Sequence, residues 1–179
     1  FLFSAFAFFY GFMRRTPALR IWYVIAFSLY FYYKSSGIYL LLLVGVSVSD
    51  FWIGRAIAHV SSRHAQRALV ALSIAADLAV LGYFKYTNFF IEITRDLFGA
   101  GFLEFQNIFL PVGISFFLFQ SLSYTIDIYR GSLKPVDRWG DYLFYLSFFP
   151  QLVAGPIVRA RDFLVQIRQN PITVSREMF

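Results

Sequence analysis

The residues able to do chemistry in this chain are few, and most of them sit inside apolar runs. His59 and His64 are the two histidines. They are five residues apart, off the shared i, i+4 helical face that a two-histidine zinc site uses. Both lie among Arg55, Arg63 and Arg67, so they read as part of a solvated or headgroup-facing connection, and no metal site is expected. Asp77 interrupts the apolar stretch 68–84 (ALVALSIAADLAVLGYF). At membrane depth an acidic residue costs about 2.5–3.5 kcal/mol, so it has to face a cavity or a partner. A proton relay, a transport path and a hydrogen bond to a neighbouring helix all remain open for it. Residues 110–131 read LPVGISFFLFQSLSYTIDIYRG. Ser121 and Thr125, and likewise Ser123 and Asp127, are four apart, which lines polar groups along one helical side. In lipid that side turns inward, as glue between helices or as the wall of a polar tunnel. Ser115, in the run from Gly113 to Phe117, lacks the second glycine of a nucleophile elbow and does not read as a hydrolase serine.

A second polar group stands in residues 145–159 (YLSFFPQLVAGPIVR). Gln151 lies between apolar neighbours, Gly155-Pro156 must break any helix, and Arg159 follows with a guanidinium suited to phosphate. This is either a structural turn followed by an interfacial arginine or the mouth of a cavity that holds a phosphorylated donor. Phe163, Leu164 and Ile167 beside Arg161, Gln166 and Arg168 suggest a short helix lying in a membrane interface. None of the residues present reads as catalytic.

The elements that position these residues follow from the composition. Apolar residues make up 59% of the 179, charged residues 15% and aromatics 22%. An ordinary soluble domain is about 45–50% apolar and about 25% charged, so the chain reads as a membrane protein. The absence of cysteine excludes disulfides, thiolate metal sites and cysteine nucleophiles. The net charge of +6 is clustered between apolar runs, which fits membrane orientation better than nucleic-acid binding. A crossing helix needs about 20 apolar residues. Candidate spans are 1–13, 21–33, 38–49 (running on toward 53), 68–84, 105–126 and 142–158, and the several short ones favour tilted or broken helices. The fourth connection, 85–104, holds Lys85 and Arg95 beside Glu92, Asp96 and Glu104. Arginine and lysine alternate between rich and poor connections, placing the N-terminus outside and Arg14, Arg15, Arg20, Arg55, Arg63, Arg67, Arg130, Lys134 and Arg138 in the cytoplasm. A full crossing by 142–158 would put Arg159, Arg161, Arg168 and Arg176 outside; a re-entrant loop broken between Pro150 and Pro156 keeps them inside. The chain starts at Phe1 within an apolar run and has Met13 and Met178 as its methionines, so it reads as an excerpt of a longer chain.

Three strings, GYFKYTNFF (82–90), LPVGISFFLFQSLSYTIDIYRG (110–131) and FFPQLVAGPIVRARDF (148–163), together resemble the membrane-bound O-acyltransferase family, in its bacterial alginate O-acetyltransferase branch. That branch is similar to the D-alanine exporter of teichoic acid systems. The resemblance runs from about Ile21 to the end. It implies an all-α polytopic fold, a ring of transmembrane helices around a tunnel with a re-entrant segment, of which residues 1–179 form a single, incomplete membrane domain. It also implies acyl transfer in a bacterial inner membrane, from cytoplasmic acetyl-CoA, through an extracytoplasmic acetyltransferase partner, to an exported polysaccharide. The family's catalytic histidine lies in a later segment, beyond Phe179, and neither His59 nor His64 matches it. What remains to these residues is the path and the donor: Gln120, Ser123, Tyr124 and Asp127 for the polar wall, Gln151 and Arg159 for the donor mouth. A transporter or flippase and a non-catalytic membrane scaffold are the competing readings. The transporter reading rests on Asp77, the broken segment and the polar wall, but the second inverted copy of the broken helix that would favour it is not found.

Overall fold

A computed structural model describes residues 17–98, 104–154 and 158–168, which are helical or irregular and contain no strand. The expected first span, 1–13, and the Gly155-Pro156 break lie outside the described residues. Helix α1 (Pro17–Ser36) opens on proline, whose missing N–H is an orphan donor at that position anyway. It ends at Gly37, where φ is +57°, a left-handed cap that glycine adopts without strain. A 3₁₀ turn (Gly37–Tyr39) leads into α2 (Leu40–His59), which runs back antiparallel to α1. The reversal is visible in the contacts: Gly140 lies against the Trp22 ring near the start of α1, and the Arg55 guanidinium near the end of α2 donates to the carbonyl of Asp137 at 3.2 Å.

Helix α3 (Arg63–Leu81) follows a short extended link, and the Gln66 side-chain amide donates to the carbonyls of Ile57 and Val60 at 3.2 and 2.8 Å. That satisfies carbonyls left open at the end of α2. The chain then stays helical into the stretch expected to be a connection between spans: a π turn (Gly82–Tyr86) joins α3 to α4 (Thr87–Phe98). Hydropathy counting misread this stretch because charged residues lie on one side of an amphipathic helix. The helical stretches Ile21–His59 and Arg63–Phe98 are long and apolar enough to cross a membrane by length and composition.

The expected span 105–126 is corrected as well. Residues 104–113 carry no regular helix, and α5 begins only at Ile114 and ends at Tyr129. Pro111 and a left-handed Gly113 (φ +71°) hold the preceding chain out of the helix. At its other end Gly131 (φ +75°) forms the cap, with the Ser132 N–H donating to the Asp127 carbonyl at 3.0 Å. Helix α6 (Trp139–Ser147) and α7 (Phe149–Ala154) are separated at Phe148, whose ψ of 105° is not helical, so a break falls just ahead of Pro150. Helix α8 (Ala160–Arg168) sets Phe163 against the rings of Phe144, Tyr145 and Phe148, so this part of its apolar side meets protein instead of the lipid interface expected for it.

The core lies where α2, α3, α5 and α6 meet, and it is rich in tyrosine. Tyr32, Tyr124, Tyr142 and Tyr145 are among its largest fully buried side chains, together with Phe117, Leu43 and Ile57. Gly54 permits the close approach of α2 to α5: a Cβ there would meet the Tyr124 ring at 2.8 Å and Ile128 at 2.9 Å. Small residues at such crossings let helix backbones come together.

The connections sort to two ends. Trp22, Arg55, Arg63, Arg67, Tyr129, Asp137 and Gly140 gather at one end: Arg63 donates to the Tyr129 carbonyl and Arg67 to its hydroxyl, both at 3.2 Å. At the other end, the Val112 N–H donates to Ser36 Oγ at 3.0 Å, and Tyr39 packs against Phe84 and Phe109. This grouping matches the alternation of arginine-rich and arginine-poor connections in the sequence.

Candidate functional site: two buried polar groups on one helix

Helix α5 carries polar residues on its inward side, and the structure sorts them into two groups. The first gathers on Asp50 of α2, which is 1% exposed. Ser73 Oγ on α3 donates to Asp50 Oδ1 at 2.7 Å, and Ser121 Oγ on α5 donates to Asp50 Oδ2. Thr125 lies 3.4 Å from Ser73, and the Tyr142 hydroxyl of α6 lies 3.1 Å from Ser121 Oγ. Asp77, 3% exposed, belongs to the same group: its carboxyl interacts electrostatically with Asp50 and faces Ser121. Its Oδ2 is buried and has no hydrogen-bond partner among the described residues. The cavity or partner expected for Asp77 is therefore a second carboxyl.

Sequence reasoning missed Asp50, which stands at the edge of the span 38–49. The signal was present. Ser47, Asp50 and Gly54 lie three and four apart in the run LLLLVGVSVSDFWIG, on one helical face, and an acid in such a run has the standing that Asp77 was given.

The second group joins α5 to α7. Gln120 Nε2 donates to Gln151 Oε1 at 2.9 Å, which brings together one residue expected in the polar wall and one expected at the donor mouth. Gln120 is 2% exposed, and its own Oε1 is left without a partner among the described residues. Its main-chain carbonyl accepts from Ser123 Oγ at 3.0 Å and lies 3.4 Å from the Tyr145 hydroxyl, which donates to the Val158 carbonyl at 3.0 Å. Ser147 Oγ, fully buried on α6, is also without a partner among the described residues. Buried polar atoms are nearly always paired, so both atoms stand out among the described residues.

The remaining expected residues are placed differently. Ser123 bonds back to its own helix, which leaves its hydroxyl occupied. Tyr124 is fully buried, its ring 4.4 Å from that of Tyr142, and its hydroxyl accepts from the Val136 N–H at 3.3 Å, so it anchors the loop after α5. Asp127 is buried with Oδ2 unpaired among the described residues, beside a loop held on its main-chain carbonyl; no ion pair with Arg130 is formed there. Arg159 is exposed just before α8, and its carbonyl accepts from the N–H groups of Asp162 and Phe163. His59 Nδ1 lies 2.7 Å from the Arg55 carbonyl of its own helix, on the surface.

A helical scaffold with two stretches long and apolar enough to cross a membrane, and with polar groups buried at helix crossings, fits a membrane protein. Comparison with known proteins narrows this. The chain is 41% identical over 143 residues to "Probable alginate O-acetylase AlgI" of Pseudomonas aeruginosa, a match that takes in 77% of the chain and 27% of that protein. It is 31% identical over 175 residues to the peptidoglycan O-acetyltransferase of Helicobacter pylori, covering 84% of the chain and 33% of the relative. A teichoic acid D-alanyltransferase of Lacticaseibacillus rhamnosus is 26% identical over 122 residues, 59% of the chain and 30% of that protein. The chain is thus a relative of the alginate O-acetylases, which are members of the membrane-bound O-acyltransferase family. It spans about a quarter to a third of the length of the relatives it matches. No family model and no solved structure matches it.

Proposed function

We propose that the protein is part of a membrane O-acetyltransferase that moves acetyl groups from cytoplasmic acetyl-CoA across a bacterial inner membrane for O-acetylation of an exported polysaccharide. The observation that carries this reading is the 41% identity to an alginate O-acetylase over 77% of the chain. A general base, the family's histidine, activates an acceptor hydroxyl against the thioester; on this reading it lies in a segment after Phe179. The residues present shape the path. Gln120, Ser123, Tyr124 and Asp127 form its polar wall and Gln151 and Arg159 its donor mouth, with the Gln120–Gln151 bond joining the two. The unpaired Oε1 of Gln120 and Oγ of Ser147 support a polar passage beside α5. Around it the chain belongs to a ring of transmembrane helices.

The N-terminus lies outside and the segment through α6 and α7 is re-entrant. Two contacts support re-entry. The Leu152 carbonyl reaches Gly113 at the far end of α5, whereas Leu164 borders a cavity of 280 Å³ with Lys134, Asp137 and Asp141 at the arginine-rich end. The partners are the bilayer, acetyl-CoA, an extracytoplasmic acetyltransferase and the polysaccharide; nucleic acid is not among them.

The test is acetyl transfer by the full-length protein in inner-membrane vesicles supplied with labelled acetyl-CoA and the partner transferase. Gln151→Ala and Arg159→Ala, at normal membrane levels, are expected to lower the label reaching polysaccharide. Unchanged transfer removes both residues from the donor mouth. Uptake of a substrate without formation of an acyl ester favours a transporter.

A further inference from the structure

We propose that Asp50 and Asp77 form a binding site for one small monovalent cation, H⁺ or Na⁺, between α2 and α3. The site has no place in acetyl transfer as described above. It is built from five oxygen-bearing side chains on three helices, all inside the bundle: Asp50, Ser73, Asp77, Ser121 and Thr125, each at most 3% exposed. Ser73 and Ser121 donate to Asp50, so one carboxyl has both oxygens occupied. Asp77 shares Ser121 with Asp50 and is the less satisfied of the two. Its Oδ2 is buried without a hydrogen-bond partner and its carboxyl is within electrostatic reach of Asp50. Among the described residues no arginine, lysine or histidine forms an ion pair with either acid.

Two uncompensated carboxylates in a low-dielectric interior are strongly disfavoured. Intramembrane acids of this kind pair with one another or lie on ion pathways. One positive charge on the open oxygen of Asp77 removes the mismatch, while the charge of Asp50 is already spread over two hydroxyl donors. The other ionisable groups facing the pair are the Tyr142 hydroxyl on α6 and Tyr124 on α5, with Arg55, one turn further along α2, facing Tyr124. None of these supplies a cation to Asp77.

The site is tested by thermal unfolding of the purified full-length protein in detergent, so the outcome does not depend on acetyl transfer. Sodium chloride is titrated against choline chloride at constant ionic strength, and a sodium-free series covers about pH 5 to 9. If sodium is the ligand, it raises Tm saturably by a few degrees well above its Kd, and Asp77→Asn removes the rise. If the proton is the ligand, sodium has no effect, wild-type Tm falls as pH rises, and Asp77→Asn flattens that slope. Ser73→Ala, which keeps both carboxyls, is expected to move the midpoint of whichever response occurs several-fold. A wild-type Tm that responds to neither series overturns the proposal. So does a response that survives unchanged in Asp77→Asn and Ser73→Ala.

Discussion

Gln120 and Gln151, 31 positions apart, meet through a single 2.9 Å hydrogen bond that ties the middle of α5 to the short helix α7. No other side-chain hydrogen bond among the described residues joins these two helices. If this bond holds the donor path open, the two residues act as a unit. Gln120→Ala and Gln151→Ala should each reduce acetyl transfer, and the double variant should be little worse than either single one, because the second change removes a partner already lost. Additive losses would show that the residues act separately.

Gly113 makes a sharper structural test. Its φ is +71°, and a Cβ would stand 2.8 Å from the Leu152 main-chain oxygen, which cannot swing aside as a side chain can. Gly113→Ala should cost about 1–3 kcal/mol of stability through strain and overpacking. It should also lower activity, since it displaces α7 and with it Gln151. Gly45, exposed in α2 with nothing within 4 Å of its added Cβ, is the control. Gly45→Ala should be neutral or stabilising by about 0.5–1 kcal/mol. Thermal unfolding of both variants in one detergent checks the contrast.

Ser121 and Ser123 are near neighbours with opposite expectations. Ser121 donates to the buried Asp50, so Ser121→Ala strips a carboxylate of a donor and should destabilise by about 1–3 kcal/mol. Ser123 bonds to a carbonyl of its own helix and lies beside the Tyr145 hydroxyl, with no charged group relying on it, and Ser123→Ala should stay within about 0.5 kcal/mol of wild type. A Ser123→Ala protein of normal stability and reduced acetyl transfer would place that hydroxyl on the substrate path.

Orientation can be read chemically, because this chain contains no cysteine to interfere. In a cysteine-free full-length protein, Lys34→Cys should react with a membrane-impermeant maleimide added outside intact cells. Lys134→Cys and Asp162→Cys should react only after permeabilisation. Labelling of Asp162→Cys from outside would mean that residues 142–158 cross completely, and the re-entrant reading would be lost.

Much of the polar architecture was legible because lipid punishes misplaced polarity. Asp77, Gln120 and Gln151 stand out against apolar neighbours, and the inward face of α5 follows from residues spaced four apart. Asp50 escaped because it sits where an apolar run was already ending, so its cost was not counted. The backbone was harder to read. Residues 105–126 look like one span to any count of apolar side chains, yet Pro111 and Gly113 hold helix back until Ile114. Conversely, Phe89, Phe90, Ile93 and Leu97 recur at helical spacing through a stretch counted for its charges as a connection between spans. The Gln120–Gln151 bond and the Asp50–Asp77 pairing are long-range facts that no local pattern contains.

The π turn at Gly82–Tyr86 inserts one extra residue into an otherwise continuous helix. A residue added to a helical turn advances every later side chain by about 100° around the axis, so the turn acts as a phase shifter between α3 and α4. Beyond it Asn88 faces the irregular strap before α5, taking the Gln106 N–H at 2.8 Å and giving its own amide to the Gln106 carbonyl at 2.9 Å, in imitation of a strand pair. Deleting one residue from Gly82–Tyr86 would restore the regular winding and rotate Asn88 off that strap. The buried carboxyl of Asp77 lies upstream on α3 and would keep its bearing toward Asp50 of α2, so the two halves of this long rod answer to separate settings.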